Sequence, residues 1–223
     1  MTQPTVLPTG DALELVILDC DGVLFDSYDA NVAFYDSVLA AVGQPGMDEE
    51  ARTLCHRLSG PQLWDHLFAR DAALHARAKD VAARADYGPF YRLMQPVEDL
   101  DETLRRLSAH CPLALATNRG RTVTGVVREF GLDRFLSIAL GILDVPRPKP
   151  APDLLVACLE RTGVTADAAV FVGDTSVDRE AAAAAGIAYV GIGAHSGGER
   201  TIGKLRDLPT LLGVAGRDAT RAG

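Results

Sequence analysis

Cysteine and aromatic residues are scarce in this 223-residue chain, with four cysteines, one tryptophan and 6% aromatic side chains in all. Cys20, Cys55, Cys111 and Cys158 form no CxxC pair, which excludes the common zinc and dithiol patterns, and they read as reduced core thiols. Basic charge is also short: 22 Lys and Arg stand against 30 Asp and Glu, for a formal net charge of −8. That balance argues against a protein that holds nucleic acid by neutralising phosphates, and against one that sits on an anionic membrane. Long apolar runs are missing too. Leu15 to Leu18 and Ala181 to Ala185 are among the longest, far below the ~20 residues of a spanning helix. The first 14 residues lack a basic start followed by an apolar stretch, so no signal peptide is expected and a cytoplasmic location follows. Within the glycine-rich stretch from Gly193 to Arg200 there is neither GxxxxGK nor GxGxxG, which leaves it as a rim loop.

What is present is an ordinary globular composition, 48% apolar and 23% charged. Four apolar runs have the length and content of buried parallel strands: Leu13 to Leu18, Pro112 to Ala116, Ala168 to Val172 and Ile187 to Ile192. Helical spacing separates the later ones, at Leu100, Leu104 and Leu107, at Val123, Val126, Val127 and Phe130, and at Leu154, Leu155, Cys158 and Leu159. The alternation predicts an α/β fold, a doubly wound parallel sheet with helices on both faces. The interval after the first strand breaks this rhythm. It carries only helical spacing, interrupted at Gly60-Pro61 and Gly88-Pro89. The expected organisation is therefore an α/β core over residues 12–26 and 94–213, a helical insertion over 27–93, and flexible termini at 1–11 and 214–223.

Ligands of such sheets bind at the carboxyl ends of the strands, and the residues found there are specific. Asp19-Cys20-Asp21-Gly22 follows the first strand, Thr117-Asn118 the second, and Gly173-Asp174 to Asp178 the third, with Lys149 in a proline-rich loop between. Four carboxylates on one rim repel one another unless a cation sits among them. Hard oxygen ligands facing solvent favour Mg²⁺, which also binds substrate phosphate. A hydroxyl, an amide and a lysine are the donors that a transferring phosphoryl group needs. One aspartate of the first pair is placed to act as nucleophile and the other to move a proton. An acidic chain thus remains compatible with an anionic substrate, provided that a bound cation reverses the local field.

The set resembles the haloacid dehalogenase-like hydrolase superfamily, in its phosphatase branch with a helical cap, and is phosphoglycolate phosphatase-like. DxDGxxxDS from Asp19 to Ser27, Thr117-Asn118, Lys149 to Asp153, and GDxxxD ending at Asp178 match its four motifs in order, 98, 32 and 25 residues apart. The resemblance implies that Asp19 forms an aspartyl-phosphate and that Asp21 is the general acid/base. It implies Mg²⁺ at Asp19, the Asp21 carbonyl and Asp174, with Asp178 holding a metal water. Thr117 and Lys149 would bind the phosphoryl oxygens, supported by Asn118 and the Cys20 and Asp21 amides. Asp21 favours phosphate ester hydrolysis over dehalogenation, which dispenses with a second aspartate. The sugar phosphomutase alternative has a histidine twelve residues after the nucleophile, where this chain has Asn31. A non-catalytic phosphometabolite-binding protein is the other alternative, opposed by the intact motif residues. A loop of Arg57, Ser59, Gly60 and Gln62 has the position to contact the leaving group, or merely joins two helices. The implied partner is a small phosphorylated metabolite, handled by a monomer or homodimer.

Overall fold

The computed structural model describes residues 6–214, apart from 56, 57, 59, 70 and 195. Six strands form one parallel sheet: β1 (Leu15–Leu18), β4 (Leu113–Ala116), β5 (Leu136–Leu140), β6 (Ala169–Gly173), β7 (Ala188–Ile192) and β8 (Thr201–Ile202). Their order is β5-β4-β1-β6-β7-β8. Every residue of β1 is fully buried, as a central strand covered on both faces requires. The alternation of side chains sorts the core into two layers. Val16, Leu18, Leu113, Leu115, Val170 and Val172 face one, and Leu15, Ile17, Ala114, Ala116 and Phe171 face the other. Leu104 and Leu107 of α6 (Leu100–Ser108) and Val126 of α7 (Val123–Glu129) close the first layer. Leu154, Leu155 and Cys158 of α8 (Asp153–Thr162), with Ala181 and Ala182 of α9 (Ser176–Ala185), close the second.

The four expected strands are all present, and two further ones join them. β5 is the edge strand, half-exposed along most of its length, so it lacks the continuous apolar run that marks the others. β8 is only two residues long. The chain leaves the sheet through β2 (Phe25–Asp26) and returns through β3 (Gln95–Pro96), which pair antiparallel. Between them lie five helices: α1 (Tyr28–Ala41), α2 (Glu49–Leu54), α3 (Gly60–Leu67), α4 (Ala72–Arg84) and α5 (Gly88–Tyr91). Both Gly-Pro pairs start helices, because a first-turn proline gives up an N–H that no helical carbonyl would accept. Helices α1 to α4 share an apolar cluster of their own, including Val38, Leu39, Leu63, Trp64 and Ala78, while Phe90 and Tyr91 of α5 pack on the first core layer. All four cysteines are free and buried.

The expected flexible ends need correction where they are described. Pro8 is buried, Leu7 packs on the first core layer, and the Gly10 amide donates to the Leu212 carbonyl at 2.9 Å. Val214, assigned to the tail, is buried as well. The two ends tie each other down across the foot of the sheet. Residues 1–5 and 215–223 lie outside the described residues.

Candidate active site

The order of the sheet reverses at β1, whose neighbours β4 and β6 lead away in opposite directions, so the crevice at their carboxyl ends is the expected ligand position. Asp19 still belongs to the ladder, its amide donating to the Val172 carbonyl at 3.0 Å. The chain then turns sharply, with the Leu24 and Phe25 amides both donating to the Cys20 carbonyl. Gly22 sits in this turn at φ +77, and a Cβ there would collide with the Asp174 carboxylate. Glycine therefore serves twice, by adopting a left-handed conformation and by letting the loop backbone lie against Asp174.

Lys149 is buried with its charge intact. Its Nζ lies 2.6 Å from Asp178 Oδ1, 2.9 Å from Asp19 Oδ1 and 3.0 Å from the Ala116 carbonyl. Burial opposes its ionisation, but Asp178 and Asp19 outweigh that and raise its pKa. The loop carrying Lys149 is held by Asn118, whose side chain donates to the Lys149 carbonyl and accepts from the Lys149 amide, at 3.0 and 2.9 Å. The Asn118 carboxamide is thus engaged with the Lys149 loop, while Asn118 also lines the site. Asp178 is similarly engaged. Its Oδ2 accepts from the Thr175 hydroxyl at 2.6 Å and from the Thr175 amide at 3.1 Å, a reciprocal cap on α9.

Asp21 faces a second cation. Arg119 Nε lies 2.8 Å from its Oδ2 and Nη2 lies 2.5 Å from its Oδ1, and the Ser27 hydroxyl also donates to Oδ1. Burial opposes ionisation of Asp21, yet Arg119 and Ser27 hold its pKa below the usual value. Arg119 is itself buried. Its amide donates to Thr117 Oγ1 at 3.2 Å, and the Ile142 amide donates to its carbonyl at 3.0 Å. The helices reach this point through Tyr87, whose hydroxyl donates to Asn31 Oδ1 at 3.0 Å and whose ring lies 5.4 Å from the guanidinium.

The electrostatics call for a cation. Asp19, Asp21, Asp174 and Asp178 share one cavity with two buried cations, Lys149 and Arg119. Burial pushes Asp19 up to about 7 against the pull of Lys149, with Asp178 and Asp21 adding to the rise. Burial, then Asp19 and Asp178, push Asp174 up to about 8. Asp19 Oδ1 is buried, with the Lys149 ammonium 2.9 Å away. Asp19, Asp174 and Asp178 offer oxygens within 4.8 Å of one another. An all-oxygen donor set and a deficit of positive charge fit a hard divalent cation.

One cavity of about 390 Å³ contains Asp19, Asp21, Thr117, Asn118, Lys149, Asp174 and Asp178. Gly60 lines it from the helical side. Gln62 does not: it is exposed, because α3 turns Leu63 and Trp64 inward and the expected loop is already helix at Gly60. Arg57 and Ser59 lie outside the described residues. Sequence reasoning assigned no role to Ser27 or Thr175, although both lie inside motifs that it quoted. Tyr87 carried no local signal, since its partner Asn31 is 56 residues away.

Comparison with known proteins agrees with this geometry. The family model for haloacid dehalogenase-like hydrolase matches residues 16–192. Phosphoglycolate phosphatase of Pseudomonas syringae pv. tomato is 31% identical over 192 residues, covering 82% of this chain and 70% of that protein. The structure of a HAD-superfamily hydrolase of subfamily IA from Geobacter sulfurreducens superposes with TM-score 0.75 at 34% identity, covering 93% of this chain and all of that one. The structure of a predicted phosphoglycolate phosphatase from Haemophilus somnus superposes with TM-score 0.75 over 90% of this chain and 98% of its own, at 24% identity, a likeness of fold.

Proposed function

Because the chain belongs to the haloacid dehalogenase-like hydrolases and is a phosphoric monoester hydrolase, we propose that it cleaves small organic phosphate monoesters through an aspartyl-phosphate on Asp19, with Mg²⁺ as cofactor. The observation that carries this reading is the pairing of Lys149 with both Asp19 and Asp178 beside Asp174. It keeps the Asp19 carboxylate at the end of β1 buried and oriented by the ammonium. Asp19, Asp174 and the Asp21 carbonyl would hold the Mg²⁺, with Asp178 behind them. Bound there, Mg²⁺ would neutralise the carboxylates and the phosphoryl oxygens.

Asp19 attacks phosphorus as the ester P–O bond breaks, and the departing alcohol oxygen takes its proton from Asp21. Water then attacks the aspartyl-phosphate, gives a proton to Asp21, and releases inorganic phosphate. Thr117 and Lys149 stabilise the phosphoryl oxygens in both halves, and Asn118 positions Lys149. The helices α1–α5 act as a cap over residues 27–93 that shields the site from water. Phosphoglycolate and sugar phosphates are the first substrates to assay. The mutase alternative lacks a proton-handling residue at Asn31, whose side chain is engaged with Tyr87, Arg119 and Ser27.

The test is phosphate release from p-nitrophenyl phosphate. It is expected with Mg²⁺, absent with a chelator, and abolished in Asp19→Asn. Turnover that survives in Asp19→Asn would refute the covalent route, and conversion of one sugar phosphate isomer into another with little free phosphate would favour the mutase.

A further inference from the structure

Aromatic residues make up 6% of the chain, yet four of them line the active-site cavity: Phe34 and Tyr35 of α1, Trp64 of α3, and Tyr87. The Tyr35 and Trp64 rings meet edge to face at 4.7 Å, and Phe34 and Tyr87 lie 5.2 Å apart. Cys55 and Leu58 extend this wall, which belongs to the same cavity as Asp19 and Asp21. The volume, about 390 Å³, lies in the range of sites that enclose drug-sized ligands. A phosphate with a two-carbon tail leaves much of it empty.

The charges of the cavity point the same way. Among its described lining residues the cations are Lys79, Arg119, Arg121 and Lys149. Lys149 is paired with Asp19 and Asp178, and Arg119 with Asp21. Lys79 and Arg121 are exposed at the rim, and Arg121 donates to the Ala83 carbonyl at 2.8 Å. A carboxylate on the leaving group therefore meets no unpaired buried cation among these residues. It meets a wall of rings in the cavity that Asp21 also lines.

We propose that the preferred leaving group is an uncharged alcohol or phenol carrying an aromatic ring, with the ring packed on Tyr35 and Trp64 and the ester oxygen at Asp21. This rests on the phosphomonoesterase reading and narrows its substrate class. Ring burial raises kcat/KM when the contact persists in the transition state.

The experiment measures kcat/KM of the full-length protein with Mg²⁺ on 2-phenylethyl phosphate, ethyl phosphate and 2-phosphoglycolate. All three release primary alcohols, which removes most of the difference in intrinsic reactivity. The phenylethyl ester is expected to be preferred by roughly tenfold or more. Tyr35→Ala should shrink that ratio and Tyr35→Phe should keep it. Ala83→Trp, at an exposed α4 position lining the same cavity, should shrink it too without disturbing the packing of the helices. Equal or better turnover of 2-phosphoglycolate, or a ratio that neither Tyr35→Ala nor Ala83→Trp moves, overturns the proposal and leaves the phosphomonoesterase reading standing. No hydrolysis of any of the three esters overturns both.

Discussion

Arg119 closes on Asp21 with two nitrogens, Nε at 2.8 Å from Oδ2 and Nη2 at 2.5 Å from Oδ1. Its backbone is held by Thr117 on one side and Ile142 on the other. The ion pair keeps Asp21 ionised, the form that accepts a proton from water but cannot give one to a leaving alcohol. The two halves of the proposed reaction thus ask for opposite states of one carboxyl, and Arg119 sets the balance. Arg119→Met is expected to raise the Asp21 pKa and to move the high-pH limb of the kcat/KM profile upward. Asp21→Asn should lower kcat by roughly 10²- to 10⁴-fold. A limb unmoved in Arg119→Met would show that the pair does not govern the acid.

Removing the divalent cation should make stability depend on pH with a definite sign. Burial and the neighbouring carboxylates push Asp19 up to about 7 and Asp174 up to about 8, well above the ordinary carboxylate range. A raised folded pKa contributes stability that is present below the unfolded pKa and is lost as pH climbs through the folded one. With a chelator, Tm is therefore expected to fall across that window. Added Mg²⁺ competes with those protons, so its Tm increment should be larger at about pH 8 than at about pH 6. Thermal unfolding with and without Mg²⁺ checks this, and an increment independent of pH counts against it.

Asp178 carries both the charge balance of Lys149 and the cap of α9. Asp178→Ala leaves a buried ammonium with a single carboxylate partner and frees the Thr175 hydroxyl. Breaking a buried pair of this kind costs about 3–5 kcal/mol, to be read from the urea midpoint at constant m-value. A loss below about 1 kcal/mol, the range of exposed pairs, would mean that water reaches Lys149 in solution.

Gly22→Ala tests how closely the first loop must lie against Asp174. The added Cβ sits at a positive φ, which costs about 1–3 kcal/mol, and meets the Asp174 carboxylate. Activity should fall by about 100-fold, as expected for a misplacement near the chemistry, while the protein stays folded by circular dichroism. Full activity would show that Asp174 has room to move aside.

Much of the site was legible before any coordinate, because its residues sit in short stretches that punctuate apolar strands. Asp19 to Asp21, Thr117-Asn118 and Asp174 to Asp178 each follow a run that ends abruptly, and such ends lie together in a parallel sheet. Lys149 was legible only by its place between them, since its own loop has no periodicity. Asn118 was legible as a strand-end residue, but the hold of its carboxamide on the Lys149 backbone, 31 residues on, was not. Gln62 read as a loop residue because Gly60-Pro61 looked like a break, whereas the pair begins a helix. The edge strand β5 stayed hidden because a half-exposed strand alternates too weakly to declare itself.

The parallel sheet, the inserted helices and the acidic rim with its lysine all follow from local pattern and order along the chain. Which charge answers which was settled only by long-range packing. Arg119 and Asp21 are 98 residues apart, as are Asp19 and Thr117, and nothing local distinguishes an arginine aimed at a carboxylate from one solvated at a helix start. The same packing also decided that scarce aromatic residues from three helical segments converge on one cavity wall. Pairings of this kind depend on long-range packing, where burial makes every unpaired charge costly, and short-range spacing carries no record of them.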